Sequence, residues 1–123
     1  MVVRHGHVVA EGWAHPFGPE RPHATFSVGK SLTATAVAIA AGEGLLDVDD
    51  LLLDHVGDAA PRDPSVHLRA MRLRHLLTMT TGHHDDPSER VRSGDDWLGA
   101  FLAEPVAHEP GTWWVYNLSL IHI

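Results

Sequence analysis

Between Arg21 and Glu43 only Lys30 carries a full formal charge, and the run that holds it, Thr25 to Gly42 (TFSVGKSLTATAVAIAAG), constrains the fold more than any other stretch. At about 100° per residue, Val28, Leu32, Thr35 and Ile39 fall in one narrow stripe, with Ser27, Lys30, Ala34 and Ala41 on the opposite flank. The spacing predicts a helix, with Thr25 positioned to cap its start and Gly42 or Gly44 to end it. Beyond Lys30 this helix is small or apolar on every side, a pattern that predicts burial.

Ser27 and Lys30 stand three residues apart, so on a helix their Cβ atoms lie about 5–6 Å from each other. Desolvation disfavours an ammonium ion, and a lysine in a dry setting can become neutral enough to accept a proton. A neutral amine beside a hydroxyl is a base beside a nucleophile. The helix N-terminus adds partial positive charge and NH groups, which favour a developing alkoxide or oxyanion. Ser27 and Lys30 are therefore the candidate catalytic pair.

The bulk properties narrow the remaining classes. A chain of 123 residues supports one domain with a modest core. A hydrophobic content of 44% and a charged content of 20% are those of an ordinary globular protein, and a net charge of −7 speaks against a nucleic-acid partner. With no cysteine, disulfides and thiolate metal sites are excluded. Met1 to Gly12 lacks the apolar centre of a signal peptide and no uncharged run is long enough to span a bilayer, so the expectation is a cytoplasmic protein without a membrane partner.

Along the chain, MVVRHGHVVAE places two β-branched runs on either side of His5-Gly6 and predicts a hairpin. Pro16, Pro19 and Pro22 make a loop of the approach to the helix. GLLDVDDLLLD (Gly44 to Asp54) and the segment with Pro61 and Pro64 read as a surface connector. Arg72 to Thr80 predicts a short amphipathic helix closed by Gly82, followed by HHDDPSER as a solvated polar loop. Asp95 to Glu104 predicts a second amphipathic helix with Trp97, Leu98, Phe101 and Leu102 inward. Glu109-Pro110-Gly111 then turns into a strand-like Trp113 to Tyr116.

In order, VVRHGHVVAEGW, FSVGKSLTATAVAIAAGEGLLDVDD, LRHLLTMTTG and FLAEPVAHEPGTWWVYN resemble the serine β-lactamase and penicillin-binding-protein family, in its class C-related branch. The resemblance covers nearly the whole chain. It implies a mixed α/β, β-lactamase/transpeptidase-like fold, an antiparallel sheet with helices, here reduced to the N-terminal hairpin, the nucleophile helix and part of the helical subdomain. It implies Ser27 as acylated nucleophile, Lys30 and Tyr116 as its partners in proton transfer, and Asn117 as a substrate-binding residue. No cofactor and no metal are implied, and the substrate is a small amide or ester: a β-lactam, a D-amino-acid peptide or an ester. The family pattern continues Tyr, any residue, then Asn or Ser, whereas position 118 is Leu. Residues 1–117 are accordingly read as a partial hydrolase domain and LSLIHI (118–123) as a non-native tail resembling translated adapter DNA. The third family motif, Lys or His followed by Thr/Ser-Gly, is not found, and the expectation is a fragment that folds poorly alone and is inactive.

Two other classes compete. Gly29-Lys30-Ser31 after Ala24 nearly copies a phosphate-binding loop, a nucleotide-binding alternative opposed by the missing first glycine and by the proline-broken segment ahead of it. A noncatalytic, binding-only relative of the same fold is the other. Of the 11 histidines, the adjacent pair His83-His84 with Asp85-Asp86 is read as solvated loop and His75 as a packing or hydrogen-bonding residue, with no metal site.

Overall fold

The computed structural model describes residues 1–117, so the readings made for Leu118 and the 118–123 tail lie outside the described residues. The chain opens with antiparallel strands β1 (Val2–Arg4) and β2 (His7–Ala10), Arg4 facing His7 across the turn. The turn works because both its residues take positive φ, His5 at 49° and Gly6 at 79°, the twist that lets two residues reverse a right-twisted hairpin. Every residue of both strands is exposed.

The expected helix is present, but its start and burial differ from expectation. A 3₁₀ turn, Phe26–Val28, leads into α1 (Gly29–Gly42), and Thr25 has helical backbone angles with no side-chain capping bond. The end is built by Gly44 and not Gly42. At φ 72° Gly44 lets its own N–H reach Ala41 O (3.0 Å) and the Leu45 N–H reach Ala40 O (3.0 Å), a paired closure of the last carbonyls. No residue of α1 is buried, and Leu32 and Ile39 are 69% and 58% exposed. The prediction of burial fails because apolar composition states only what a helix can bury; no described element covers this outer face.

The core instead lies in the middle of the chain. Leu52, Leu68, Met71, Val91, Phe101, Leu102 and Val106 form one buried cluster. It is enclosed by α2 (Val66–Ala70), α3 (Leu73–Leu77), α4 (Ser88–Val91) and α5 (Trp97–Ala103). Composition alone missed the short α2 and α4. Helix α5 starts where the Asp96 carboxylate accepts the Gly99 N–H at 2.8 Å, and Phe101 and Leu102 point inward as their spacing predicts. The acidic connector docks onto α3: Arg72 donates to the Asp49 carbonyl, Arg74 pairs with the Asp49 carboxylate, and Leu73 N–H reaches Asp50 O at 3.1 Å.

The HHDDPSER segment is not a solvated loop throughout. Its backbone runs inward, leaving His83 3% and Ser88 2% exposed, with Thr81 at 4% just ahead of it. The Thr81 hydroxyl and His83 Nδ1 lie 2.8 Å apart, and the His83 ring sits 4.9 Å from that of Phe101. Tertiary packing overrides polar composition here because Thr81, His83 Nδ1 and Ser88 find partners nearby, although His83 Nε2 has none among the described residues.

Three backbone hydrogen bonds fasten the end of the described chain to the segment after α3. His108 N–H donates to Gly82 O (2.9 Å), Gly111 N–H to Thr80 O (2.8 Å) and Val115 N–H to Met79 O (3.0 Å). Gly82, at φ 90°, has no room for a side chain, since a Cβ would come within 2.3 Å of His108 O. Trp113 to Tyr116, predicted strand-like, belongs to no strand among the described residues.

Urea denaturation distinguishes the two apolar regions. Phe101→Ala, at 1% exposure, is expected to cost about 3–5 kcal/mol, whereas Ile39→Ala on the open face of α1 is expected to cost below about 1 kcal/mol.

Candidate functional site

The site forms where the 3₁₀ turn before α1 meets the segment carrying Tyr116. Ser27 Oγ and Tyr116 OH are 2.5 Å apart, a short hydrogen bond between groups 89 residues apart in sequence. Phe26, immediately before Ser27, has φ 45°, a sparsely populated conformation for a side chain of this size, and it turns the chain sharply just ahead of the hydroxyl. Tyr116 is held through its neighbour Val115, whose N–H is tied to Met79, itself at φ 60°.

Lys30 enters from the first turn of α1. Its Nζ lies 5.0 Å from the centre of the Tyr116 ring, is sealed from solvent, and has no hydrogen-bond partner among the described residues. The structure thus brings Ser27, Lys30 and Tyr116 together, but the hydroxyl is bonded to the phenol and not to the amine. Although α1 is exposed, the four-carbon stem carries the ammonium inward, so the dry setting expected of the helix is met by the side-chain tip alone.

The phenol is held below its usual value of about 10. The hydrogen bond with Ser27 contributes most, desolvation opposes it, and the nearby Lys30 ammonium adds to the lowering; the Asp86 carboxylate pulls the other way. Both lowering causes favour a phenolate, the form able to accept a proton from the serine.

Asn117 is turned inward: it is 1% exposed, with the Ser88 hydroxyl 3.4 Å from its Oδ1. Ser88 in turn donates its N–H (3.0 Å) and its hydroxyl to Asp86 Oδ1. Asp86, Ser88 and Asn117 form a supporting chain beside Tyr116 that the sequence reading missed. Its only local signal is an Asp two residues before a Ser, the spacing at which a carboxylate accepts the N–H two residues on.

The nucleotide-binding alternative finds no strand ahead of Gly29, which follows a loop and a 3₁₀ turn. His84 Nδ1 lies 3.1 Å from His108 Nε2, and Trp113 stacks on the His108 ring with centres 4.4 Å apart. His75 Nδ1 accepts the Arg72 N–H at 3.1 Å. No group of three His, Asp or Glu side chains able to hold a metal ion occurs among the described residues. Among those residues, no helix is long and apolar enough to cross a membrane.

A two-stranded antiparallel sheet with helices, and a serine at the entry of the longest helix beside a lysine and a tyrosine, define a mixed α/β protein related to the serine hydrolases. The model of the family described as Beta-lactamase matches residues 1–121, and the chain belongs to that family. Neither the curated proteins nor the solved structures give a match.

Two titrations check these electrostatics. Tyr116 is the one tyrosine, so its ultraviolet titration is unambiguous. Ser27→Ala and Lys30→Met are each expected to move that titration to higher pH, because each removes a cause of the lowering. Burial, the largest cause, holds His83 below the usual imidazole value. The unfolded chain therefore binds a proton that the folded one refuses, and stability is expected to fall as pH drops below about 6.5. In His83→Gln, equilibrium denaturation across this range is expected to show a shallower dependence on pH.

Proposed function

We propose that the protein is a serine hydrolase that cleaves an amide or ester carbonyl through an acyl-enzyme on Ser27. The observation that carries this reading is the 2.5 Å contact of Ser27 Oγ with Tyr116 OH beside the sealed Lys30 amine. In the acylation step Ser27 Oγ attacks the carbonyl carbon while its proton passes to the Tyr116 phenolate. The tetrahedral oxyanion forms near the N-terminal end of α1, whose partial positive charge favours it. Collapse breaks the bond to the leaving amine or alcohol, which takes the proton back from Tyr116. Water then attacks the acyl-serine ester, its proton going to the phenolate and on to the departing Ser27 oxygen, and a carboxylic acid is released.

Lys30 serves two ends in this scheme. As an ammonium it stabilises the phenolate, and it helps hold the Tyr116 pKa below its usual value. Family membership supports the hydrolase reading at the level of class, and the amide or ester is left as the substrate class because the reaction needs only an electrophilic carbonyl and a leaving group.

A fluorophosphonate probe followed by peptide mass spectrometry tests the assignment. The expected adduct is on Ser27; adducts on other serines with Ser27 unmodified refute it. Tyr116→Phe, which keeps the ring and removes the proton acceptor, is expected to slow labelling by about 10²–10⁴-fold.

A further inference from the structure

A cavity of about 260 Å³ opens between α1 and α3. Ala34 and Val37 line it from α1, Leu73 and Leu76 from α3, and Leu46 from the connector. Neither Ser27 nor Tyr116 borders it, so it is separate from the place where a reacting carbonyl would sit. An apolar cavity of about 150 Å³ is enough to admit benzene, and this one is larger.

Its polar groups decide what it can hold. Among the described residues, the lining side chains with polar atoms are Lys30, Thr33 and His55, and none is a carboxylate. The Lys30 charge is not presented to the cavity, because Nζ is sealed and lies 5.0 Å from the centre of the Tyr116 ring. What Lys30 adds to the wall is its methylene stem. The Thr33 hydroxyl donates to Gly29 O (3.4 Å), and His55 Nε2 lies 3.0 Å from Asp50 Oδ2. An ion or a strongly polar molecule entering this space gives up its water without gaining a counter-charge, a cost that a neutral hydrocarbon does not incur. For the hydrocarbon, leaving water is favourable in proportion to the apolar area it covers.

We propose that this cavity binds a small neutral hydrocarbon with the bulk of an alkyl-substituted benzene, held between the α1 and α3 walls by apolar contact and by no ionic one. The bound molecule touches α1 through Ala34 and Val37 and α3 through Leu73 and Leu76, so it fills the space across which the two helices face each other. A ligand that binds the folded chain and not the unfolded one raises the melting temperature, and this one does so without any acyl transfer. The site is therefore independent of the reading of Ser27 as a nucleophile.

Isothermal titration with toluene tests this, with phenol as the polar match in shape and benzoate as the charged one. Toluene is expected to bind about tenfold tighter than phenol, whose hydroxyl exchanges water for groups already engaged, and benzoate is expected not to bind. Lys30→Met, which removes the charge and keeps an apolar stem, is expected to retain toluene binding. Ala34→Leu, which fills the cavity from α1, is expected to abolish it, and Leu76→Phe repeats the block from the opposite wall if the first variant does not fold. Phenol or benzoate binding as tightly as toluene, no binding of toluene by the unaltered protein, or toluene binding untouched in a folded filled-cavity variant overturns the proposal. Ser27→Ala separates this site from the hydrolase reading, since it removes the fluorophosphonate adduct and is expected to leave toluene binding unchanged.

Discussion

The candidate site depends on the backbone ladder that ties residues 108–115 to residues 79–82. Its bonds, from His108, Gly111 and Val115 to Gly82, Thr80 and Met79, hold the backbone at the end of the described chain alongside the helices. They require Gly82 to lack a side chain and Met79 to adopt a left-handed backbone. Each is worth only about 1 kcal/mol net, yet together they fix the direction in which Tyr116 leaves the backbone. Without that direction the phenol would not meet a serine 89 residues earlier.

The local electrostatics follow from where the Lys30 tip lies. In water an ammonium and a phenol would barely influence each other, because solvent screens the pair. Here Nζ is sealed while Tyr116 is 40% exposed, so the cation feels a low dielectric and the phenol keeps one side open to an incoming molecule. The same sealing leaves the amine without a hydrogen-bond acceptor among the described residues, and a buried donor without a partner is a local cost that the fold must carry. A costly group beside a candidate site is the kind of local conflict expected where function takes precedence over stability.

Apolar surface is distributed unevenly. The cluster around Phe101, Met71 and Leu102 is closed on all sides, whereas α1 and the hairpin leave Val2, Val3, Val8, Val9, Leu32 and Ile39 open. Helix α1 faces α3 across a cavity lined by Ala34, Val37, Leu73 and Leu76, and its C-terminal end is closed at Gly44. That arrangement concentrates stability in the helical half and leaves the nucleophile on the less supported side.

Local chemistry was enough to read the hairpin at His5-Gly6, a helix after Thr25 with a glycine closure, though not its start at Gly29, and the inward face of α5. Each is dictated by backbone preferences or by a period that repeats within a few residues. The pairing of a serine and a lysine three apart is local in the same way. What only tertiary structure decided are the relations between distant segments. These include the bonding of the Ser27 hydroxyl to Tyr116 instead of Lys30, the burial of His83 and Ser88 within a polar run, the inward turn of Asn117, and the exposure of α1 despite its composition. The physical reason is that burial and hydrogen-bond partnership belong to pairs of surfaces, and a sequence states the character of each surface without stating which other surface it will meet.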